Sequence, residues 1–159
     1  ALAAMGRLAP NYYLHDTVVP RTRLTETLAA VDEISRTYKL PIANVFHAGD
    51  GNLHPLMLFD RRQRGDVERV LEASHALIQT CVGMGGTLSG EHGIGTEKRE
   101  FMTLVFTEDD LRAMAGLKRA FDPENRFNPG KVLPKGYVCG EVRALHLQAM
   151  AQKHDIVPM

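Results

Sequence analysis

An excess of charge of either sign is missing: Lys plus Arg and Asp plus Glu both number 19 in a chain of 159 residues. With a formal charge of 0 there is no bulk field to gather nucleic acid or an anionic membrane surface, so partners must be recognised by local groups. Cysteine is scarce too. Cys81 and Cys139 allow at most one disulfide, which excludes a cross-linked secreted scaffold and suits free thiols in a reducing cytoplasm. Long apolar runs are absent: no window approaches the ~18 consecutive apolar residues of a membrane-spanning helix. The opening "ALAAMGRLAP" is too short, and meets charge too early, to be a secretory h-region. Repeats and low-complexity segments are lacking as well. What remains is ordinary globular material, 44% hydrophobic and 24% charged, enough for about one domain over residues 1–159. The first residue is Ala1, in what reads as the end of a helix, so the expectation is a piece of something longer.

Periodicity supplies the elements. "NYYLHDTVVP", residues 11–20, reads as an extended segment closed by Pro20. Leu24, Leu28, Val31 and Ile34 fall on one face of a helix over residues 21–38. Residues 42–48 and 53–59 read as two strands joined by "GDGN", the strongest hairpin signal in the chain. A second helix is expected over 65–84, where Val67, Val70, Leu71, Leu77, Ile78 and Cys81 recur at three- and four-residue steps before "GMGG" stops it. "TLSGEHGIGTEK", residues 87–98, reads as a short strand leading into a loop. Thr107 with Asp110 caps a third helix whose buried face would be Leu111, Met114, Leu117 and Phe121. "EVRALHLQAMAQ", residues 141–152, reads as a terminal helix. Helices alternate with hairpin-forming strands, so the fold class is α+β with an antiparallel sheet.

The hairpin also carries chemistry. If Asp50 and Gly51 are the central residues of a type I′ turn, Gly49 pairs with Asn52, Ala48 with Leu53, and His47 with His54. A four-residue loop from Gly49 to Asn52 keeps that register. Opposed residues on one face have Cβ atoms ~4.5–5.5 Å apart, within reach of a shared ion. Neutral imidazole is the commonest metal ligand, and catalytic sites add a carboxylate and leave a position open. Glu91 of "SGEHGIG" is the best candidate for that carboxylate. In an extended segment Glu91 and His92 would point to opposite faces, one toward metal and the other toward substrate, where a His can act as general base. Spacing alone leaves a plainer reading open, in which the two His are solvated hairpin residues and the glycines mark turns. Asp50 reads as a turn former, Asn52 as either, and His15, His75, His146 and His154 as structural.

Three motifs in this order, "VFHAGDGNLHPLMLFD", "GGTLSGEHGIGTEKREFM" and "KRAFDPENRFNPGKVLP", resemble the C-terminal cap domain of FAD-linked oxidases of the vanillyl-alcohol oxidase type. The resemblance implies a ferredoxin-like cap, with helices packed on one face of an antiparallel sheet. It further implies oxidation of 2-hydroxy acids such as glycolate or D-lactate to the 2-oxo acid, with hydride passing to FAD. By resemblance His47, His54 and Glu91 would bind a divalent ion (Zn, Mn or Fe) and His92 would take the proton from the substrate hydroxyl. Asn52 would lie near substrate and Asn128 near the flavin. Dicarboxylate-oxidising relatives place a Lys two residues before the Asp of the first strand. Leu14 stands there, before Asp16, which favours a small monocarboxylate.

The resemblance also implies what this chain does not itself carry. No Gly-x-Gly-x-x-Gly loop follows a strand, so FAD would be bound mainly by an N-terminal domain outside these residues, and the isolated chain should not turn over. No cysteine cluster could hold iron and sulfur, so electrons would leave through other subunits, one of them an iron–sulfur protein. The expected compartment is the cytoplasm, with membrane association only through those subunits. Two rival readings are a metal-dependent hydrolase and a non-catalytic interaction domain. Against the first, Gly49 and Gly51 rule out the helical His pair of zincins; the second predicts no bound metal.

Overall fold

The computed structural model describes residues 2–137. The chain divides into two compact units, the first ending at Gly93 and the second beginning at Ile94; the predicted terminal helix and Cys139 lie outside the described residues.

The first unit is built around one strand. After α1 (Leu2–Met5) come β1 (Asn11–Leu14), β2 (Thr17–Val18), α2 (Leu24–Tyr38), β3 (Ile42–His47), β4 (Asn52–Phe59) and α3 (Asp66–Gly83). β4 is central and antiparallel to all its neighbours. β1 and β2 lie end to end along one edge, with Tyr12 opposite Leu58 and Thr17 opposite Leu53. β3 runs along the other edge, with Val45 opposite His54. Past α3 the chain returns to the sheet, where Thr87 bridges Val18 antiparallel. Neighbouring positions therefore run Thr87, β1/β2, β4, β3, each pairing antiparallel. This is the split β-α-β arrangement of a ferredoxin-like α+β unit.

β4 is buried on both faces, and side-chain alternation divides its residues between them. Leu53 and Met57 face a core made with Val31 and Ile34 of α2 and Val70, Ala73, Leu77 and Cys81 of α3. His54 and Leu56 therefore point to the opposite face, away from the helices. The α2 stripe read from the sequence is the packed one, with Val31 and Ile34 buried and Leu24 and Leu28 partly buried against the core. Lys39 ends the helix in a left-handed conformation, φ 53°, and buried Leu40 follows it into the core. Leu77 is fully buried. Leu77→Ala should cost about 2–5 kcal/mol, read as a lower denaturant midpoint at unchanged slope; a loss below about 1 kcal/mol would mean that this core is looser than its burial indicates.

Three expectations are corrected. The extended segment at 11–20 is two short strands and not one: His15 and Asp16 lie between β1 and β2, although the His15 N–H still donates to the Pro55 carbonyl of β4 at 2.9 Å. Residues 87–98 hold a single bridging residue, not a strand, because the loop after Leu88 folds around a buried carboxylate. The hairpin register is shifted by two residues: His47 pairs with Asn52 and His54 with Val45, around a four-residue loop from Ala48 to Gly51. The cause is a contact distant in sequence. Val19 donates its N–H to the Gly51 carbonyl at 3.0 Å, and Asn52 is claimed by β2 through its pairing with Val18. Asn52 is thus strand, not loop.

In the second unit, Thr107 caps α4 (Glu108–Phe121) with the reciprocal box expected, its hydroxyl accepting from the Asp110 N–H and the Asp110 side chain accepting from the Thr107 N–H. Asp122 closes the following loop by accepting the N–H groups of Arg126 at 2.8 Å and Phe127 at 2.9 Å, and the Lys118 ammonium. Burial pushes its carboxyl up, but Lys118 and these N–H groups outweigh burial and leave it below the ordinary value. The apolar stripe of α4 is a correction as well. Leu111 is buried, as is Ala115, while Leu117 is 63% and Phe121 80% exposed. Both line an open cavity of about 450 Å³ with Phe127 and Val132, because the loop after Asp122 turns alongside α4 without covering its last two turns.

Candidate active site

On the sheet face away from the helices, alternation lines up Leu14 of β1, Val45 and His47 of β3, and Asn52, His54 and Leu56 of β4. His54 is the best-fixed of these. Its side chain is 7% exposed, and its Nδ1 lies 3.2 Å from the His15 carbonyl oxygen. A carbonyl can only accept, so Nδ1 carries the proton and Nε2 of the neutral ring keeps its lone pair.

That Nε2 is buried without a hydrogen-bond partner. Glu91 Oε1 lies 2.9 Å away, at ion-pair distance but out of line for a hydrogen bond. Two lone pairs this close repel unless a proton or a metal cation sits between them. His47 Nε2 is 3.9 Å from the same oxygen, and its ring stands edge-on to that of His54, centroids 5.5 Å apart. One donor atom from each of His47, His54 and Glu91 lies within 4.8 Å of the others. Two ligands on a tetrahedral zinc stand about 3.4 Å apart, so the observed spacings bracket what a shared ion needs.

The two-residue shift in register does not dissolve the pair. A slip of two keeps every side chain on its face, so His47 and His54 meet as diagonal instead of direct neighbours. A slip of one would have sent His47 to the helix side.

Glu91 and His92 meet a different correction. They do not point to opposite faces: His92 Nε2 is 3.3 Å from Glu91 Oε1, and the His92 ring stacks on His54 at 4.9 Å with 17° between planes. The segment is a bend, not a strand, so alternation does not apply. All four polar groups line one pocket of about 410 Å³ with Tyr12, Leu14, Val45 and Leu56. The arrangement offers a set of ligands with a base candidate beside it and an apolar wall opposite.

Asp16 shapes the bend. Its carboxylate, 2% exposed, accepts the Ser89 hydroxyl at 2.5 Å and the N–H groups of Gly90 at 3.0 Å, Glu91 at 3.2 Å and His92 at 2.9 Å. Burial raises its pKa, but the Ser89 hydroxyl and these N–H groups outweigh it and lower the carboxyl to about 2. His15, Asp16 and Ser89 were not singled out from sequence as part of the site. The one available signal was an ionisable pair interrupting an otherwise β-prone run.

Asn52 is 5% exposed, with its Oδ1 lacking a partner, and packs so closely on Gly90 that a Cβ there would lie 2.7 Å from its amide. Asn128 is in the second unit, at φ 47°, its Oδ1 accepting from Lys131 Nζ at 3.2 Å.

The family model described as "FAD linked oxidases, C-terminal domain" matches residues 1–132. This chain belongs to that family. Among curated relatives of this FAD-linked oxidase domain, the "Glycolate oxidase subunit GlcD" of Escherichia coli (strain K12) is 44% identical over 147 residues, 92% of this chain and 30% of the relative. The protein of the same name from Bacillus subtilis (strain 168) is 39% identical over 135 residues, 85% of this chain and 29% of that one. "D-lactate dehydrogenase [cytochrome], mitochondrial" of Arabidopsis thaliana is 33% identical over 144 residues, 87% of this chain and 25% of the relative. The domain thus spans less than a third of the length of these relatives. No helix among its described residues is long and apolar enough to cross a membrane.

Proposed function

We propose that this chain is the substrate- and metal-binding part of a flavin-dependent 2-hydroxy-acid dehydrogenase, acting on a small monocarboxylate such as glycolate or D-lactate. One observation carries the reading: the orphaned Nε2 of buried His54, with Glu91 Oε1 2.9 Å away and the His47 imidazole beside it. Relatives named as a glycolate oxidase subunit and as D-lactate dehydrogenases support the substrate class. Membership of the flavin family favours this reading over the hydrolase and the inert module.

His47, His54 and Glu91 would hold a divalent ion, which when bound supplies positive charge that favours the deprotonated form of an oxygen held against it. His92 would take the hydroxyl proton, and FAD, when bound, would supply the two-electron acceptor for the substrate C–H bond, so that two electrons and two hydrogens are lost in all and a 2-oxo acid remains. Tyr12, Leu14, Val45 and Leu56 line that side of the pocket, and none of them is a cation that could hold a second carboxylate. Asn52 binds substrate. Asn128 contributes to the flavin site, with FAD held mainly by a part of the enzyme outside these residues. The electrons pass on through other subunits, one of them an iron–sulfur protein, and the assembly is cytoplasmic.

Elemental analysis of the purified chain tests the metal. Near-stoichiometric Zn, Mn or Fe is expected in the wild type, and loss of it in His47→Ala/His54→Ala. Equal metal content in both, or none in the wild type after incubation with each ion, would refute the ligand assignment.

A further inference from the structure

We propose that Asp16 is a positioning residue for this cluster, placing Glu91 and His92 opposite His54 by gathering the backbone that carries them. The inference rests on the metal reading above and names what builds the site.

Three consecutive N–H groups, those of Gly90, Glu91 and His92, converge on the Asp16 carboxylate at 2.9–3.2 Å. Successive N–H groups turned to one side form a concavity for an anion. Here the anion belongs to the chain itself. Ser89 completes the wrap, its hydroxyl donating to Asp16 at 2.5 Å and accepting from the Gly93 N–H at 2.7 Å. With three N–H vectors fixed on one carboxylate, the bend around Glu91 and His92 has little freedom left, and their side chains leave it toward one oxygen-to-nitrogen contact of 3.3 Å.

The neighbouring residue fixes the other half of the cluster. The His15 carbonyl accepts a hydrogen bond from the His54 Nδ1–H, and the His15 ring is itself held by Ser74 Oγ at 2.7 Å from Nε2. The break between β1 and β2 therefore orients a ligand from the hairpin with one residue and a ligand from the bend with the next. His15 keeps one ladder bond, its N–H donating to the Pro55 carbonyl at 2.9 Å, and its ring lies on the helix side against Ser74 of α3, so alternation turns the next side chain, that of Asp16, to the opposite face and the bend. Asp16 also places a buried negative charge behind the bend, which favours a cation in front of it.

Cobalt(II) titration of the 159-residue chain, followed by calorimetry and by visible absorption of the bound ion, is the test. Asp16→Asn puts an amide N–H₂ among donors that need an acceptor, and should weaken cobalt binding about ten- to a hundred-fold, the usual loss when an outer partner of a ligand is removed. Its ligand-field band should shift as well. Ser89→Ala, which leaves the carboxylate and its N–H bonds in place, should lose less. Asp66→Asn removes another buried carboxylate, one that serves Arg69 and the Asp60 N–H. It should lower the melting temperature while leaving cobalt affinity unchanged, which separates positioning from mere stability. Unchanged affinity in a folded Asp16→Asn overturns the proposal and leaves the metal reading standing. No cobalt bound by the wild type overturns the metal reading, and this proposal with it. Should Asp16→Asn not fold, Ser89→Ala decides: weakened binding with a shifted band supports positioning, and binding identical to wild type overturns it.

Discussion

His92→Gln should reduce kcat/KM for the 2-hydroxy acid by about a hundred- to ten-thousand-fold in a flavin-containing form of the enzyme, the usual contribution of a positioned general base. The geometry makes the substitution selective. His92 is not one of the three groups whose donor atoms come together, so the ion should stay. Its stacking on His54 at 4.9 Å is a contact that a Gln amide can partly keep. The imidazole is 46% exposed, so a proton it accepts can reach solvent directly. Metal content should therefore match wild type while kcat falls with kcat/KM, and the pH profile should lose the limb that reports a base. Activity within threefold of wild type would assign the proton to another group and leave His92 as a wall of the pocket.

The second large effect concerns the fold. Gly51→Ala should destabilise the first unit by about 3 kcal/mol, summing a left-handed conformation for a residue with a Cβ, at ~1–2 kcal/mol, and a weakened buried hydrogen bond, at ~1–3 kcal/mol. Gly51 sits at φ 72°, and a Cβ there would lie 2.1 Å from the Val19 carbonyl oxygen. That oxygen is backbone and cannot swing aside. The same glycine accepts the Val19 N–H, so relieving the clash breaks the bond that sets the hairpin register. The variant should show both a lower denaturant midpoint and weaker metal binding. A midpoint within about 0.5 kcal/mol of wild type would show that the turn can be rebuilt without this approach.

How far the sequence discloses the protein depends on the range of the interaction involved. α2 and the capping box at Thr107 were legible because a 3.6-residue stripe and a Thr-to-Asp spacing are local facts. His47, His54 and Glu91 were legible as a set, and the structure brings them together. The register was not, since it is decided by Val18 and Val19, some 30 residues from the turn. Nor was the shared direction of Glu91 and His92, because the carboxylate that bends their backbone is 75 and 76 residues away. Leu117 and Phe121 have the spacing of a buried face and are exposed; periodicity marks an apolar stripe but not what covers it.

The separation of the four groups along the chain also bears on the order in which they come together. A hairpin such as β3–β4 closes in about 1–10 μs from local contacts, so the two imidazoles can meet early. Glu91 and His92 arrive only once the segment beyond α3 has returned to Asp16, a closure across more than 70 residues. In between, the chain would present a two-nitrogen site lacking its carboxylate, open to soft or imidazole-loving ions such as Cu²⁺ that bind early and strongly. On the proposed metal reading, refolding in excess copper would trap a different ion from the one the finished site would select, and the metal found on a recombinant sample would record when the ion met the chain as well as which ions were present.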